Sequence, residues 1–137
     1  MINKIFVHLP VSDLPASMEF FSRLGFSFNE KFTDENAACM MVGENIFVML
    51  LVENFFQTFT KKEIADTTKV TEAFTSLSVE SPEAVDDLLE RALEAGALEI
   101  REAQDHDLMY ERSFEDLDGH IWGVFFMDET VATDGPQ

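Results

Sequence analysis

The sequence predicts an α+β fold in which one plan, a strand, a helix and three further strands, is laid down twice. Three observations predict it. Asp116-Leu117-Asp118-Gly119-His120-Ile121-Trp122-Gly123-Val124-Phe125-Phe126 reads as a tight β-hairpin turn running into an apolar strand, because glycine reaches positive φ without a Cβ clash. Two helical stretches, closed by Gly25 and Gly96, each follow a strand-like run and open on a capping residue and a proline. Val79 lies 68 residues after Val11 and Gly96 lies 71 after Gly25, which argues for an internal duplication whose second helix is about one turn longer.

In chain order, Ile5 to Val11 reads as a buried strand. Ser12 or Asp13 caps the next helix by accepting a free amide, Pro15 fits its first turn, and Met18, Phe21 and Leu24 recur at three-residue spacing before Gly25. Strands are predicted at 26–32, 37–42 and 46–52, with turns at Asp34-Glu35-Asn36 and Gly43-Glu44-Asn45. The stretch 53–69 lacks alternation and reads as a connector with one short helix. Its Phe55, Phe56 and Phe59 either pack over the sheet edge or serve as a lid or dimer contact.

The second half begins with a strand at 71–80. Ser81 caps, Pro82 takes the first helical position, and Val85, Leu88, Leu89, Ala92 and Leu93 form an apolar stripe. Strands follow at 97–103, 108–115 and 121–126. In the last, Ile121, Gly123 and Phe125 share one face and Trp122, Val124 and Phe126 the other; both faces are apolar and so both are covered. The predicted organisation is a single domain over 1–127, with module one at 3–53, a connector at 54–70 and module two at 71–127, and a flexible tail at 128–137.

With 137 residues, 46% of them hydrophobic and 14 phenylalanines, the chain can build one core despite 27 acidic against 9 basic side chains. The formal charge of −18 argues against nucleic acid and anionic membranes as partners, because phosphate binding needs clustered Lys and Arg. The same charge attracts cationic small molecules, and in its plainer role it keeps an aromatic-rich protein in solution. A single cysteine, Cys39, excludes an internal disulfide and fits a reducing compartment. Met1-Ile2-Asn3-Lys4 is too short and polar for a signal segment, and no run reaches membrane-spanning length, so a cytoplasmic protein is expected.

The Asp-x-Asp-Gly turn running into an apolar strand resembles the last hairpin of the vicinal-oxygen-chelate superfamily, which holds glyoxalase I, extradiol dioxygenases and bleomycin-resistance proteins. Leu9-Pro10-Val11-Ser12-Asp13-Leu14 before a helix ending in Leu24-Gly25-Phe26, and Leu77-Ser78-Val79 before the second helix, extend the resemblance to about residues 3–127. It implies the glyoxalase/bleomycin resistance/dihydroxybiphenyl dioxygenase fold: paired βαβββ modules forming a curved-sheet cup, helices on the convex side, commonly as a homodimer. On that plan Ile5, Val7, Leu9 and Val11 face the helices while Phe6, His8 and Pro10 face the cavity; Thr75, Leu77 and Val79 pack outward and Phe74, Ser76 and Ser78 inward.

Most enzymes of the superfamily hold one divalent metal with His and Glu from four strands. Carried over one by one, those positions are Phe6, near Met49, Phe74 and Gly123, none of which supplies a ligand of the required type. The resemblance therefore implies no family-type metal cofactor. It favours a metal-free protein that binds a small organic molecule in an aromatic-lined cup, like bleomycin-resistance proteins. The alternative is a glyoxalase-like lyase or isomerase, or a dioxygenase, with a non-standard site and His8 as general base. A third reading is a structural or regulatory dimer without a ligand.

The candidate pocket comprises Phe6, His8, Met49, Phe74, Ser76, Tyr110, Arg112, Gly123 and Phe125. His8 is the polar residue that this register turns into the cup, although a lone histidine on an apolar strand also serves as a hydrogen-bonded structural residue. His106 and His120, beside turns in acidic runs, are expected to be solvated, and Gln104-Asp105-His106-Asp107 to be a solvated loop. Tyr110, Arg112 and Phe114 share one strand face and Glu111, Ser113 and Glu115 the other; the sequence leaves open which lines the cup. Cys39, without a nearby basic activator, reads as a buried inert thiol. There is no Gly-rich phosphate loop, serine nucleophile elbow or Cys-x-x-Cys pair.

Overall fold

The computed structural model describes residues 1–106 and 108–128, which form two compact units, Met1–Asp66 and one that begins at Thr67. Asp107 and all but the first residue of the predicted tail lie outside the described residues. Each unit is a mixed α+β module with an open sheet, as the sequence predicts.

In unit one, strand β1 (Ile5–Val11) leads into helix α1 (Leu14–Arg23), and strands β2 (Ser27–Phe28), β3 (Ala37–Gly43) and β4 (Ile46–Val52) follow. The sheet order is β1-β4-β3-β2, with β1 parallel to β4 and the other pairs antiparallel. Asp13, not Ser12, caps α1: its Oδ1 accepts from Ala16 N at 3.1 Å, and Gly25 then stops the helix at φ 107°. Leu14, Phe20, Phe21 and Leu24 are buried with Leu9, Val11, Ala38, Met40, Val48 and Leu50 of the sheet. A fully buried Phe or Leu contributes about 1.5–3 kcal/mol, so this face carries the unit's stability.

The predicted strand 26–32 is shorter than expected. Asn29 Oδ1 accepts from Lys31 N at 3.0 Å and the Thr33 hydroxyl donates to Asn29 O at 2.8 Å, and this local bonding winds Glu30–Phe32 into a 3-10 turn. After β4 comes the connector: a one-turn helix α2 (Glu53–Phe56) and a 3-10 turn at Gln57–Phe59. α2 packs against β1 and β4, and the Glu30–Phe32 turn against β3.

Unit two repeats the plan with strand β5 (Phe74–Ser78), helix α3 (Pro82–Glu94), two short pieces β6 (Leu98–Glu99) and β7 (Gln104–Asp105), and the long strands β8 (Met109–Glu115) and β9 (Ile121–Met127). The sheet order is β5-β9-β8-β6, with β7 also on β8. Ser81 Oγ accepts from Ala84 N at 3.0 Å, and α3 has 13 residues against 10 in α1, the extra turn that the period predicts. The predicted strand 97–103 survives only as β6; Ile100 N still reaches Ser113 O at 3.4 Å, and the chain rejoins β8 as β7. The predicted strand 71–80 shrinks because its partner β9 begins at Ile121, opposite Phe74, leaving 71–73 with no strand beside them.

The β8–β9 hairpin is built on Asp116. Its Oδ1 accepts from Asp118 N at 2.9 Å and His120 N at 3.0 Å, its Oδ2 accepts from Trp122 Nε1 at 2.9 Å, and Gly119 turns at φ 85°. Burial pushes the Asp116 carboxyl up, and the neighbouring His120, the indole and the two amides pull it back only in part. The residues that open unit two cross this turn: Thr67 Oγ1 donates to Asp118 O at 2.6 Å, and Glu72 Oε2 lies 3.4 Å from His120 Nδ1. His120 is therefore buried, 3% exposed, and not solvated as the sequence suggests. His106 is exposed.

Candidate functional site

In unit one the register decides which side chains meet. His8 stands opposite Met49 and Phe6 opposite Phe47, so these four share the sheet face away from α1. Phe6 stacks on Phe47 with ring centroids 4.6 Å apart. The His8 ring takes the edge of Phe59 at 5.1 Å, and Phe55 packs edge-on to Phe59 at 5.4 Å. The connector aromatics thus reach the histidine from the side. Phe6, His8, Phe32 and Met49 line a cavity of about 220 Å³, in which Phe6 is 48% and Phe32 64% exposed. Its walls are aromatic rings and a thioether, and His8 is the polar group, the composition of a small-molecule site. Among the described residues no side chain hydrogen-bonds the His8 imidazole to orient it.

The repeat places an equivalent face in unit two. Ser76 stands opposite Gly123 and Ser78 opposite Phe125, as His8 does opposite Met49. Phe74 and Gly123 thus occupy the places that Phe6 and Met49 hold in unit one. A Cβ added at Gly123 would meet Phe74 Cε1 at 2.6 Å and Glu111 Oε2 at 3.1 Å, so the Phe74 ring and the Glu111 carboxylate occupy the space that glycine leaves. Arg101 holds that carboxylate at 2.8 Å. Of the two strand faces that the sequence left open, the one carrying Glu111 and Ser113 is therefore the one shared with Gly123 and Phe125.

Tyr110 and Arg112 lie elsewhere. The hairpin pairs Ser113 with Gly123 and Arg112 with Val124, which turns Tyr110 and Arg112 to the side of α3 and corrects their assignment to the pocket. Tyr110 Oη donates to Asp86 Oδ1 at 2.6 Å, and the Arg112 guanidinium reaches Asp86 at 2.9 Å, Glu90 at 3.3 Å and Glu99 at 2.8 Å. Tyr110's hydrogen bond, with the Arg112 charge, holds the Asp86 carboxyl below its ordinary value, and Arg112 does the same for Glu99. The Glu99 bond in turn raises Arg112 above its ordinary range. These groups staple α3 to the sheet.

Residues 4–43 match the bleomycin resistance protein-like N-terminal family. A hypothetical protein from S. aureus is similar over 92% of this chain and 94% of its own, at 29% identity and a TM-score of 0.78. The chain has the fold of the vicinal-oxygen-chelate superfamily. A glyoxalase/bleomycin resistance protein/dioxygenase family enzyme from Burkholderia phytofirmans shares this superfamily fold at 17% identity and TM-score 0.75, over 90% of this chain and 97% of its own. So does a glyoxalase-related enzyme from Fulvimarina pelagi, at 19% identity and TM-score 0.76, over 91% of this chain and 88% of its own. No curated protein matches the chain in sequence. No helix among the described residues is long and apolar enough to cross a membrane.

The superfamily's divalent metal is tested against the residues that stand in its places. Phe6 and Phe74 offer no lone pair, the space over Gly123 holds the Phe74 ring and a single carboxylate, that of Glu111, and the Met49 thioether is a poor partner for a hard cation. Among the described residues no three His, Cys, Asp or Glu side chains cluster so as to hold an ion. The donor set does not fit that metal.

Proposed function

We propose that this protein of the vicinal-oxygen-chelate fold binds a small organic molecule without the superfamily's metal, on the aromatic face that carries Phe6, His8 and Met49. The observation that carries the reading is the filling of the metal positions by rings: Phe6 stacked on Phe47 in unit one, and Phe74 over Gly123 in unit two. These faces offer apolar and π contact with one imidazole in unit one and the Glu111 carboxylate in unit two, and the charge of −18 favours a cationic aromatic ligand. The match to the bleomycin resistance protein-like family supports the same reading. Equilibrium dialysis against a panel of cationic aromatic compounds tests it: binding weakened about tenfold by Phe6→Ala is expected, and a flat response across the panel would sink the idea. Elemental analysis of chelator-free protein should find no equivalent of zinc, manganese, nickel or iron.

An enzyme using His8 as general base is less well supported, because a base is usually oriented by a further group and, among the described residues, no side chain hydrogen-bonds the His8 ring. Turnover of an oxoacid, a glutathione hemithioacetal or a catechol that vanished with His8→Ala would reverse this order. The protein is further proposed to be cytoplasmic, from its single cysteine, and homodimeric, from its exposed Phe55 and Phe59. Sedimentation at micromolar concentration should give twice the 15.6 kDa mass; a species of 15.6 kDa alone refutes the dimer.

A further inference from the structure

Unit two buries a polar group that its own sheet does not satisfy. Ser113 is 0% exposed, and among the described residues its hydroxyl has no hydrogen-bond partner. Leaving a hydroxyl unbonded in the interior costs free energy, which a donor brought by a ligand returns. Ser113 stands directly opposite Gly123, and Glu111 shares its face two residues along β8. A Cβ at Gly123 would come within 3.1 Å of Glu111 Oε2, and directly opposed residues hold their Cβ positions about 4.5–5.5 Å apart, so carboxylate and hydroxyl border one space above the glycine. Arg101 bonds the other oxygen, Oε1, at 2.8 Å, which fixes the carboxylate and leaves Oε2 turned to that space. The Phe74 ring is its roof and is itself 47% exposed, while Ser76, also exposed, stands on the far side of Gly123.

We propose that the space over Gly123 binds the primary ammonium group of an organic cation, which enters from the Ser76 side as the Phe74 ring turns outward. The groups present select that class. Glu111 Oε2 and the Ser113 hydroxyl oxygen are both acceptors, so the ligand brings at least two N–H donors; the carboxylate favours a positive charge, and an aromatic ring face accommodates one. An anion is repelled by Glu111, and a quaternary ammonium lacks the donors. Glycine is what leaves the room, since the Cβ of any other residue would meet the Phe74 ring at 2.6 Å. The corresponding row of unit one, His8, Met49 and Cys39, carries no carboxylate, so this site belongs to the second repeat only. The inference rests on unit two alone and not on the unit-one reading above.

The test follows the backbone amide NMR signals of the intact chain as benzylammonium, a ring joined to a primary ammonium, is added. The Ser76, Ser113 and Gly123 amides should shift along one saturable curve. Benzyltrimethylammonium, of equal charge but without N–H donors, should bind at least tenfold more weakly, and so should benzylammonium to Glu111→Gln and to Ser113→Ala. Ser113→Ala is the decisive variant: it removes a hydroxyl that the free protein leaves unbonded, so it should melt no lower than the wild type while losing affinity. Glu83→Gln removes the same charge from α3, on the other side of the sheet, and should bind as the wild type does. Equal binding of the two cations would show that overall charge and not the site holds them, and overturns the proposal. So do unshifted Ser113 and Gly123 amides, or undiminished affinity in a folded Ser113→Ala chain. The amides of Phe6, His8 and Met49 report the unit-one face in the same titration, so either reading can fail without the other.

Discussion

Replacing Asp116 by alanine removes the acceptor on which the β8–β9 hairpin is built. Three donors lose their partner: the amides of Asp118 and His120 and the indole N–H of Trp122. Water can reach the Asp118 amide, but His120 is 3% and Trp122 1% exposed, so two donors are left buried and unmade. Each costs about 1–3 kcal/mol. Removing a carboxylate whose burial is itself unfavourable returns part of this, and a net loss of about 3 kcal/mol is expected, or a fall on the order of 10 °C in melting temperature. Urea unfolding should show a lower midpoint at unchanged slope. Asp116→Asn keeps an acceptor for the two amides but turns an NH2 toward the indole N–H, so it should cost only the indole bond, about 1–3 kcal/mol. A double-mutant cycle with Trp122→Phe should give a coupling of at least about 1 kcal/mol. A cost below about 0.5 kcal/mol for Asp116→Ala, or no coupling, would refute the reasoning.

Arg112→Met should destabilise by about 1–2 kcal/mol at neutral pH, because it leaves Asp86, Glu90 and Glu99 without their shared cation. Asp86 and Glu99 titrate lower in the folded protein than unfolded, so their contribution is fully present above about pH 4, the unfolded value, and is lost as pH falls through the folded one. The gap between wild type and variant should therefore close in acid; urea titrations from pH 7 to 3 showing a constant gap contradict the staple. Gly119→Ala should cost about 2 kcal/mol, because φ is 85° there and the new Cβ strikes the Thr67 carbonyl. Gly123→Ala should cost under about 1 kcal/mol, because what it meets is the edge of a half-exposed Phe74 ring that can swing away. Paired denaturation curves in the reverse order would show that the two glycines have been misread.

What the sequence revealed and what it hid divide along physical lines. The two helices and the long strands were legible because their signals are local: Asp13 and Ser81 as caps, Gly25 and Gly96 as stops, and apolar runs between polar turns. The short edge pieces were not, because at an edge one side of the strand has no partner, and Asn29 and Thr33 bond their own backbone instead. His120 looked solvated because the segment that covers it, Thr67 to Glu72, lies some fifty residues away along the chain. The face of Tyr110 and Arg112 was decidable in principle. Pairing Glu115 with Ile121 across the turn fixes Ser113 opposite Gly123, and parity then sends Arg112 to the helix side. In unit one, parity alone set Phe6 and His8 on the face away from α1, where they line a cavity with Met49. What the sequence could not supply was Phe32, brought there by a 3-10 turn, and the ring of Phe74 over Gly123.

The strand of unit two that comes latest in chain order among the described residues is not at the rim of its sheet. β9 lies between β5 and β8, holding β5 in parallel and β8 antiparallel, just as β4 lies between β1 and β3 in unit one. Unit one thus has its central strand once residue 52 is made, whereas β5 of unit two has no partner strand until residues 121–127. During synthesis β5 remains without its neighbour until residues 121–127 are joined, and closing β5 onto β9 then costs the entropy of a loop of more than forty residues. A chain that stopped at the Asp118-Gly119 turn would lose the middle of its second sheet and not its margin.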